Sequence, residues 1–382
     1  MKVDFITRHA IPNYGSILQT YATQKVLNKL GCDSEVINYI RMDETANKTI
    51  VTNCNIKENG IKSKIKRLGY IIIQGPNVKH MHKKFSKFRK TYLKQTEKEY
   101  NSVEELKNNL PNADVYCTGS DQVWAKIGGV NYDEAYFLNF VPEGKRCISY
   151  AASLGKSKID EELEKKLPEL LKKYETILVR ENTAEEIIKE KGFNNVKQVL
   201  DPTLLLNKKE WLEIQEEKPI VKGNYILCYF LGKNIEHRKF AEKLKERTGY
   251  KIVSINHCDE YVKYSDKFAD EIPYNIGPGE FINLIRNAKY VCTDSFHGTV
   301  FSLINKVNFF TFERFAGKNI KMSTNSRIYS LLELVALEER LIKESNQLET
   351  KINENINYDE VDNVIENFRQ TSIEFLKQAL LD

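Results

Sequence analysis

Residues 290–305 read YVCTDSFHGTVFSLIN, a short apolar run that leads through a polar turn into a second apolar segment. Tyr290–Thr293 has the length and composition of a buried strand, and Gly298–Asn305 predicts a helix. The turn between them holds Asp294, Ser295 and His297. A strand that runs directly into a helix is the repeating unit of parallel α/β folds, so this stretch predicts that fold class.

The same alternation extends along the chain in both directions from this stretch. The other predicted strands are Val3–Thr7, a run beginning at Val36–Tyr39, Asp114–Thr118, Cys147–Ala151, Thr176–Arg180, Tyr225–Leu231, Lys251–Ile255 and Asn308–Phe312. Helical spacing follows at residues 17–30, His237–Thr248, Gly279–Asn287, Ile328–Leu337 and, at the end of the chain, Val361–Leu381. The chain has 382 residues, which is long enough for two domains with separate cores. We therefore predict two Rossmann-like domains, residues 1–185 and 186–343, and a helical tail, residues 344–382, that can return to the first domain.

Composition favours a cytoplasmic enzyme. Hydrophobic residues are 41% and charged residues 29% of the chain, as expected for a soluble globular protein. The first residues, Met1–Ile6, enter a strand pattern at once and do not resemble a secretory signal. The seven cysteines are widely spaced and include no Cys-x-x-Cys pair, so we expect reduced thiols and no metal site built on them.

Positive charge is concentrated in one segment. Between Lys57 and Lys94 there are twelve Lys or Arg and one acid, a balance of +11 in a chain whose net charge is +5. This pattern fits a solvated helix pair with basic faces, or a surface for anionic lipid or a diphosphate-linked acceptor at the inner face of the cell membrane. Nucleic acid is disfavoured, because the rest of the chain is acidic and carries no nucleic-acid-binding motif.

Two further polar turns follow predicted strands, at the edge where open α/β sheets bind ligands. Residues 13–16, NYGS, precede the first helix, and residues 119–124, GSDQVW, follow the strand 114–118. Asp121 and Gln122 could orient hydroxyl groups, and Trp124 could stack on a sugar, although helix capping and core packing explain these residues equally well. The first turn lacks the full glycine fingerprint of a dinucleotide site.

Candidate cations lie near the same edges. Arg180 ends a strand, and Arg314 and Arg327 follow the His297 helix. A guanidinium group suits phosphate and carboxylate because it donates paired hydrogen bonds, although a surface ion pair is the usual role of any one such arginine. His297 is placed to contact an anion or to transfer a proton, yet a lone histidine, including His9, is more commonly structural.

An ordered set of motifs resembles the polysaccharide pyruvyl transferase family. The set consists of residues 13–16 (NYGS), 119–124 (GSDQVW), 150–153 (YAAS), 179–181 (VRE), 201–203 (DPT), 294–299 (DSFHGT) and 325–327 (NSR). The resemblance implies a glycosyltransferase-B-like fold. It also implies transfer of pyruvate from phosphoenolpyruvate to two sugar hydroxyls of a bacterial surface polysaccharide or its lipid-linked precursor, forming a ketal.

The resemblance also implies residue roles. His297 matches the family histidine near the donor, and Arg180 matches its partner arginine from the other domain. Some relatives carry an arginine two residues before that histidine, where this chain has Ser295, so Arg327, or else Arg314, would have to substitute. The implied catalytic groups are His297, Asp121 and Asp294. The implied donor-binding residues are Arg180, Ser295, Gly298, Thr299, Arg314 and Arg327, and the implied acceptor-binding residues are Asn13, Tyr14, Gly15, Ser16, Ser120, Gln122 and Trp124. No metal or cofactor is implied beyond the donor itself.

Two other functions fit the same pattern. One is a glycosyltransferase that uses a nucleotide sugar, because a fold does not fix a reaction. The other is a noncatalytic carbohydrate-binding protein, which Ser295 in place of an arginine keeps open. Binding of a nucleoside diphosphate would indicate the first, and sugar binding without phosphate release would indicate the second.

Overall fold

Two parallel β-sheets with flanking helices form the core of the molecule. The structure, a computed structural model, describes residues 1–45, 61–126, 132–255, 268–314 and 325–381. The first sheet has six strands, in the order 33–36, 2–6, 115–118, 146–152, 174–179 and 196–198, and the second has five, in the order 341–342, 308–312, 290–293, 225–229 and 251–254. Every strand pair within them is parallel.

The first half alternates strands and helices as the sequence predicts. Its elements are β1 (Lys2–Ile6), α1 (Tyr14–Lys29), β2 (Asp33–Val36), α2 (Ile61–Tyr92), α3 (Val103–Asn108), β3 (Val115–Thr118), β4 (Arg146–Ala152), α4 (Glu161–Leu171), β5 (Tyr174–Val179), α5 (Asn182–Glu190) and β6 (Val196–Gln198). A single turn of 3₁₀ helix at Pro202–Leu205 and the short helix α6 (Lys208–Leu212) lead to the second half.

The second half repeats the arrangement. Its elements are β7 (Tyr225–Tyr229), α7 (Ile235–Thr248), β8 (Lys251–Ser254), α8 (Pro278–Asn287), β9 (Tyr290–Thr293), α9 (Phe296–Asn305), β10 (Asn308–Phe312), α10 (Ser326–Leu334) and β11 (Leu341–Ile342). Two helices, α11 (Leu348–Lys351) and α12 (Tyr358–Leu381), form the tail.

Several elements differ from the sequence-based expectations, and the three that bear on the function are β2, β6 and the basic segment. Strand β2 ends at Val36, where the prediction had a strand begin, because its residues 33–36 (DSEV) are mostly polar. Strand β6 was not predicted, since three residues at a sheet edge carry little hydrophobic pattern. The first sheet therefore continues beyond residue 185, where the sequence placed the domain division. The basic segment forms one long helix, α2, rather than a helix pair, and Pro76 lies within it; residues 57–60 of that segment lie outside the described residues.

An apolar joint holds the two halves together. Tyr14, at the start of α1, stacks on Phe281 of α8 with ring centroids 4.6 Å apart and also contacts Phe85 of α2. The Tyr14 hydroxyl donates a hydrogen bond to the carbonyl of Ile276 at 3.1 Å. One continuous cluster of buried side chains includes residues of both halves. The carboxyl ends of strands from the two sheets consequently meet across this joint.

The tail helix α12 packs on the first half. The backbone N–H of Leu200 donates to Ser372 Oγ at 3.0 Å, and Arg369 Nε donates to the carbonyl of Leu204 at 2.7 Å. Arg146 of β4 donates to the carbonyls of Ala379 and Leu380. Within the described part of the chain, no helix is both long enough and apolar enough to span a bilayer. Five cysteines are buried and form no disulfide bond: Cys32, Cys117, Cys147, Cys228 and Cys292. Cys54 and Cys258 lie outside the described residues.

Candidate active site

His297 lies directly on the first half of the molecule. It sits in the first turn of α9, where Ser295 Oγ accepts a hydrogen bond from the N–H of Gly298 and caps the helix. Its ring rests on Gly15 of α1, and a Cβ at Gly15 would lie 1.9 Å from His297 Nδ1. Glycine is therefore required at position 15 for this contact.

Asp201 connects His297 to the first sheet. Its Oδ2 accepts from Arg180 Nη1 at 2.8 Å and Ser120 Oγ at 3.3 Å, and it lies 3.5 Å from His297 Nε2. The other oxygen, Oδ1, accepts from the N–H and hydroxyl of Thr203. Burial alone would raise the pKa of Asp201, but His297, Arg180 and Thr203 together hold it well below its usual value. Asp201 is therefore a buried, ionised carboxylate.

Asp121 is the second carboxylate of the crevice. Asp121 lies three residues after the end of strand β3, and its own backbone adopts the left-handed conformation, with φ of 75°. Ser16 Oγ donates to its Oδ2, the N–H of Gln122 donates to Oδ1 at 2.8 Å, and Arg180 Nη2 lies 4.0 Å from Oδ1. Burial acts to raise its pKa, but Arg180, His297 and Arg8 lower it overall. Asp121 is thus ionised and can accept a hydrogen bond from a hydroxyl group.

Two arginines, one from each half, lie against the same aromatic ring. The guanidinium carbon of Arg180 is 4.8 Å from the ring centroid of Phe296, and that of Arg327 is 5.7 Å from it. With its amide oxygen turned toward Arg327, Gln122 accepts from Nη2 at 2.8 Å and from Nε at 3.1 Å. Burial, followed by repulsion from Arg180, lowers the pKa of Arg327 to about 10. The fold thus places the two guanidinium groups close together even though they repel each other.

Part of this positive charge remains available to a ligand. Arg180 is buried, and its Nε and Nη2 make no hydrogen bond to any of the described residues. Buried polar groups without a partner are uncommon in folded proteins and can mark a place where a ligand completes the hydrogen bonding. The arrangement is therefore suited to an anion with planar, paired oxygens.

Several predicted site residues have structural roles instead, which corrects the sequence-based assignment. Trp124 is fully buried, stacks on Phe137 and donates from Nε1 to the carbonyl of Tyr136, so it cannot stack on a sugar. Tyr14 belongs to the apolar joint, and Asn13 caps α1 by accepting from the N–H of Ser16 at 3.1 Å.

Three predicted site residues near His297 also stabilise the fold. Asp294 accepts from the N–H groups of Leu231 and Gly232 at 2.6 and 2.8 Å, so it holds the loop after β7 and is not placed to act as a base. Thr299 is buried and donates to the carbonyl of Ser295. A Cβ at Gly298 would come within 2.5 Å of Thr293 Oγ1, so this glycine permits close packing of helix on strand.

Arg314 and His9 lie beside the crevice rather than at its centre. Arg314 Cγ would be 3.4 Å from a Cβ at Gly232, which places this arginine next to the loop that Asp294 holds. His9 is buried, and burial lowers its pKa to about 4, so it is neutral at physiological pH. Its ring nitrogens lie 3.3 Å from the carbonyl of Thr7 and 3.4 Å from Asn38 Oδ1, and these contacts hold the ring within the fold.

Sequence reasoning missed Asp201 and Phe296 as site residues. Both belong to recognised motifs, 201–203 and 294–299, but the sequence does not show that either side chain faces the crevice. Asp201 follows the unpredicted strand β6, and its partner Ser120 lies 81 residues away along the chain. A sequence pattern without knowledge of β6 does not bring these positions together.

The fold defines the class of protein. At a TM-score of 0.53, the structure resembles a putative UDP-N-acetylglucosamine 2-epimerase from Listeria monocytogenes, with 11% identity over 99% of this chain and 91% of that chain. It also resembles UDP-GlcNAc 2-epimerase from Methanocaldococcus jannaschii in complex with UDP-GlcNAc and UDP, at a TM-score of 0.51 with 15% identity over 97% of this chain and all of that chain. These likenesses confirm the predicted glycosyltransferase-B-like fold of two Rossmann-like halves.

The sequence defines the family. The family model for polysaccharide pyruvyl transferase matches residues 13–314, which cover most of the chain and include every residue of the crevice described above except Arg8 and Arg327. The chain belongs to the polysaccharide pyruvyl transferase family. It is therefore a transferase whose family acts on polysaccharides. No curated protein matches its sequence significantly.

Proposed function

We propose that this protein transfers the pyruvyl group of phosphoenolpyruvate to two hydroxyls of one sugar in a bacterial surface polysaccharide or its lipid-linked precursor. The observation that carries the proposal is the pair Arg180 and Arg327, which bring positive charge from both halves to one aromatic ring beside His297. Phosphoenolpyruvate is a small polyanion with a phosphate at one end and a carboxylate at the other. Two neighbouring guanidinium groups match these two ends.

The reaction balances without any further reactant. A proton adds to the methylene carbon of phosphoenolpyruvate, which makes C2 electrophilic, and the first sugar hydroxyl forms a bond to C2. The bond between C2 and the phosphate oxygen breaks, and the second hydroxyl then closes the ketal. The two hydroxyl protons are accounted for, since the product gains one methyl hydrogen and phosphate leaves with the other. The proposed reaction needs no metal or cofactor, because the donor supplies both the electrophile and the leaving group.

Each half supplies different groups in this proposal. Arg180 and Arg327 bind the donor anion, and their fixed positive charge stabilises negative charge on the departing phosphate. His297 faces the same crevice and is the candidate for proton transfer or phosphate contact. Asp121, held by Ser16, is the candidate acceptor for a sugar hydroxyl, because it is ionised and Asp294 is engaged elsewhere. We place the reaction in the cytoplasm, where phosphoenolpyruvate is available.

Release of phosphate tests the proposal. We expect purified protein to release phosphate from phosphoenolpyruvate only when a glycan acceptor is present, and the acceptor mass to increase by one pyruvate ketal. Replacing His297 with alanine should remove most of this turnover, while circular dichroism confirms that the variant is folded.

Other outcomes would favour the other functions. Transfer of a sugar unit from a nucleotide sugar, with no use of phosphoenolpyruvate, would show that the protein is a glycosyltransferase. Saturable glycan binding with no turnover of either donor would show a noncatalytic binding protein.

A further inference from the structure

The N-terminal half of α2 exposes an apolar face. Ile65, Leu68 and Ile72 are 64, 59 and 64% exposed, although large aliphatic side chains are usually buried. Their spacing of three and four residues places them on one side of the helix. The C-terminal half behaves differently, because Val78 and Phe85 are buried against the body of the protein.

The same helix is strongly basic. Residues 61–92 contain ten Lys or Arg and no Asp or Glu, so this helix carries +10 while the remainder of the +5 chain is net −5. Four of the ten, Lys62, Lys64, Lys66 and Arg67, lie in the same stretch of sequence, on either side of Ile65 and directly before Leu68. A helix that combines an apolar face with many lysines and arginines is typical of segments that lie on anionic bilayers.

We propose that residues 61–72 of α2 bind the surface of an anionic membrane, with Ile65, Leu68 and Ile72 inserted at the level of the lipid headgroups. The apolar face supplies burial, and the basic residues supply attraction to anionic lipid. A second copy of the chain is a poorer partner, because pairing of two such helices would bring like charges together. This binding does not depend on the proposed reaction.

The other half of α2 fixes the helix to the joint between the two halves. Phe85 contacts Tyr14 with ring centroids 5.2 Å apart, and Lys84 forms an ion pair of 2.5 Å with Glu280 of α8. At 1.5 Å per residue, Ile65 lies about 30 Å along the helix from Phe85. The helix that would bind the membrane at residues 61–72 therefore also contacts Tyr14. Tyr14 is next in sequence to Gly15, on which the ring of His297 rests.

Vesicle sedimentation with the full chain tests this proposal. We expect the protein to bind vesicles that contain phosphatidylglycerol and not vesicles of phosphatidylcholine alone, and to dissociate as salt is added. The variant I65S/L68S/I72S should bind about tenfold or more weakly. The matched control L212S/I235S/V364S replaces three other exposed apolar helix residues and should bind like the wild type.

A charge variant provides a second, independent measurement. Neutralising four basic residues of the segment in K62Q/K64Q/K66Q/R67Q should weaken binding, whereas K165Q/K166Q/K172Q/K189Q, which neutralises four exposed lysines elsewhere, should not. If either α2 variant is misfolded by circular dichroism, the other decides the result.

Four results would overturn the proposal. They are no binding of the wild type to anionic vesicles, equal binding to neutral vesicles, unchanged binding of the α2 variants, and a sedimentation equilibrium result in which the apolar residues hold a dimer while vesicle binding is unaffected. The last result would assign the face to a second copy of the chain.

Discussion

At the scale of single residues, Asp201 is the group on which the crevice depends. It is fully enclosed, accepts from Arg180, Ser120 and Thr203, and faces His297. A buried ion pair of a carboxylate and an arginine adds little net stability to the fold. Removing one partner is strongly destabilising, because it leaves the other charge buried and unpaired. In the proposed reaction Asp201 is thus a positioning residue, because it would act on the donor only through Arg180 and His297.

We predict that Asp201→Asn lowers the free energy of unfolding by about 3–5 kcal/mol, because Arg180 is left as an uncompensated buried charge. Because the pKa of Asp201 lies well below its usual value, this contribution is fully present above about pH 5 and is lost as the pH falls below about 4. Urea denaturation of both proteins at pH 8 measures the difference.

The double variant Arg180→Met/Asp201→Asn is the control for this interpretation. Removing both charges should recover part of the stability that Asp201→Asn loses, although neither single variant nor the double variant should turn over donor normally. Strictly additive losses of stability would show that the two residues do not act as a pair.

The sequence identified some of the crevice residues but assigned too many. Helix-cap and turn chemistry explain Asn13, Ser295 and Gly298, and core packing explains Trp124. These residues occupy conspicuous motifs because the three turns that hold Gly15, Asp121 and His297 are stabilised by their caps and packing. A motif alone does not separate the residues that build a turn from those that face a ligand.

At the scale of elements, β1 carries an unusual buried carboxylate. Asp4 is fully buried, neither carboxylate oxygen has a hydrogen-bond partner among the described residues, and Lys2 Nζ lies 3.8 Å away. Burial, opposed by Lys2 and assisted by Glu35 and Asp33, raises the pKa of Asp4 to about 7. The folded protein therefore holds this proton more tightly than the unfolded chain does.

We predict that Asp4→Asn becomes increasingly stabilising as the pH rises. Because the pKa is higher in the folded state, wild type is stabilised by the bound proton at low pH and loses that contribution between about pH 4 and pH 7. Relative to wild type, the variant should gain up to about 1.4 kcal/mol per pH unit across this range.

Denaturation of both proteins at pH 5 and pH 8 tests this dependence. Glu162→Gln, on α4, is the control, because Glu162 is exposed, its pKa is lowered by Lys126, and it lies away from Asp4. A stability difference between Asp4→Asn and wild type that does not change with pH would contradict the assignment.

Strands with a strong hydrophobic pattern were predicted, whereas the weakly patterned strand β6 was not. Strands β3, β9 and β10 are buried along almost their whole length, so their apolar runs stand out in the sequence. Strand β6 has three residues, two of them polar, and its pairing with β5 cannot be recognised from so short a polar sequence. The position of β6 determines where Asp201 lies, so this omission also hid the centre of the crevice.

At the scale of the whole molecule, the crevice exists only because the two halves are joined. Arg180 and Asp121 follow strands of the first sheet, whereas His297, Phe296 and Arg327 belong to the second half. The stacking of Tyr14 on Phe281 and the contact of His297 with Gly15 set the distance between these groups. The repeated strand–helix pattern predicts two halves, but contacts between residues almost 300 positions apart leave no local pattern to detect.

Calorimetric titration with phosphoenolpyruvate tests most directly whether the crevice is a donor site. We predict saturable binding to wild type that weakens about ten- to a hundredfold in both Arg180→Ala and Arg327→Ala, since each variant loses a charge-assisted hydrogen bond worth roughly 1.5–3 kcal/mol. Arg327→Lys should recover only part of the affinity, because an ammonium group cannot donate paired hydrogen bonds.

Arg286→Ala is the control, because Arg286 on α8 donates to backbone carbonyls outside the crevice, and this variant should bind like wild type. Absence of phosphoenolpyruvate binding to the wild-type protein, or unchanged affinity in both crevice variants, would contradict the assignment.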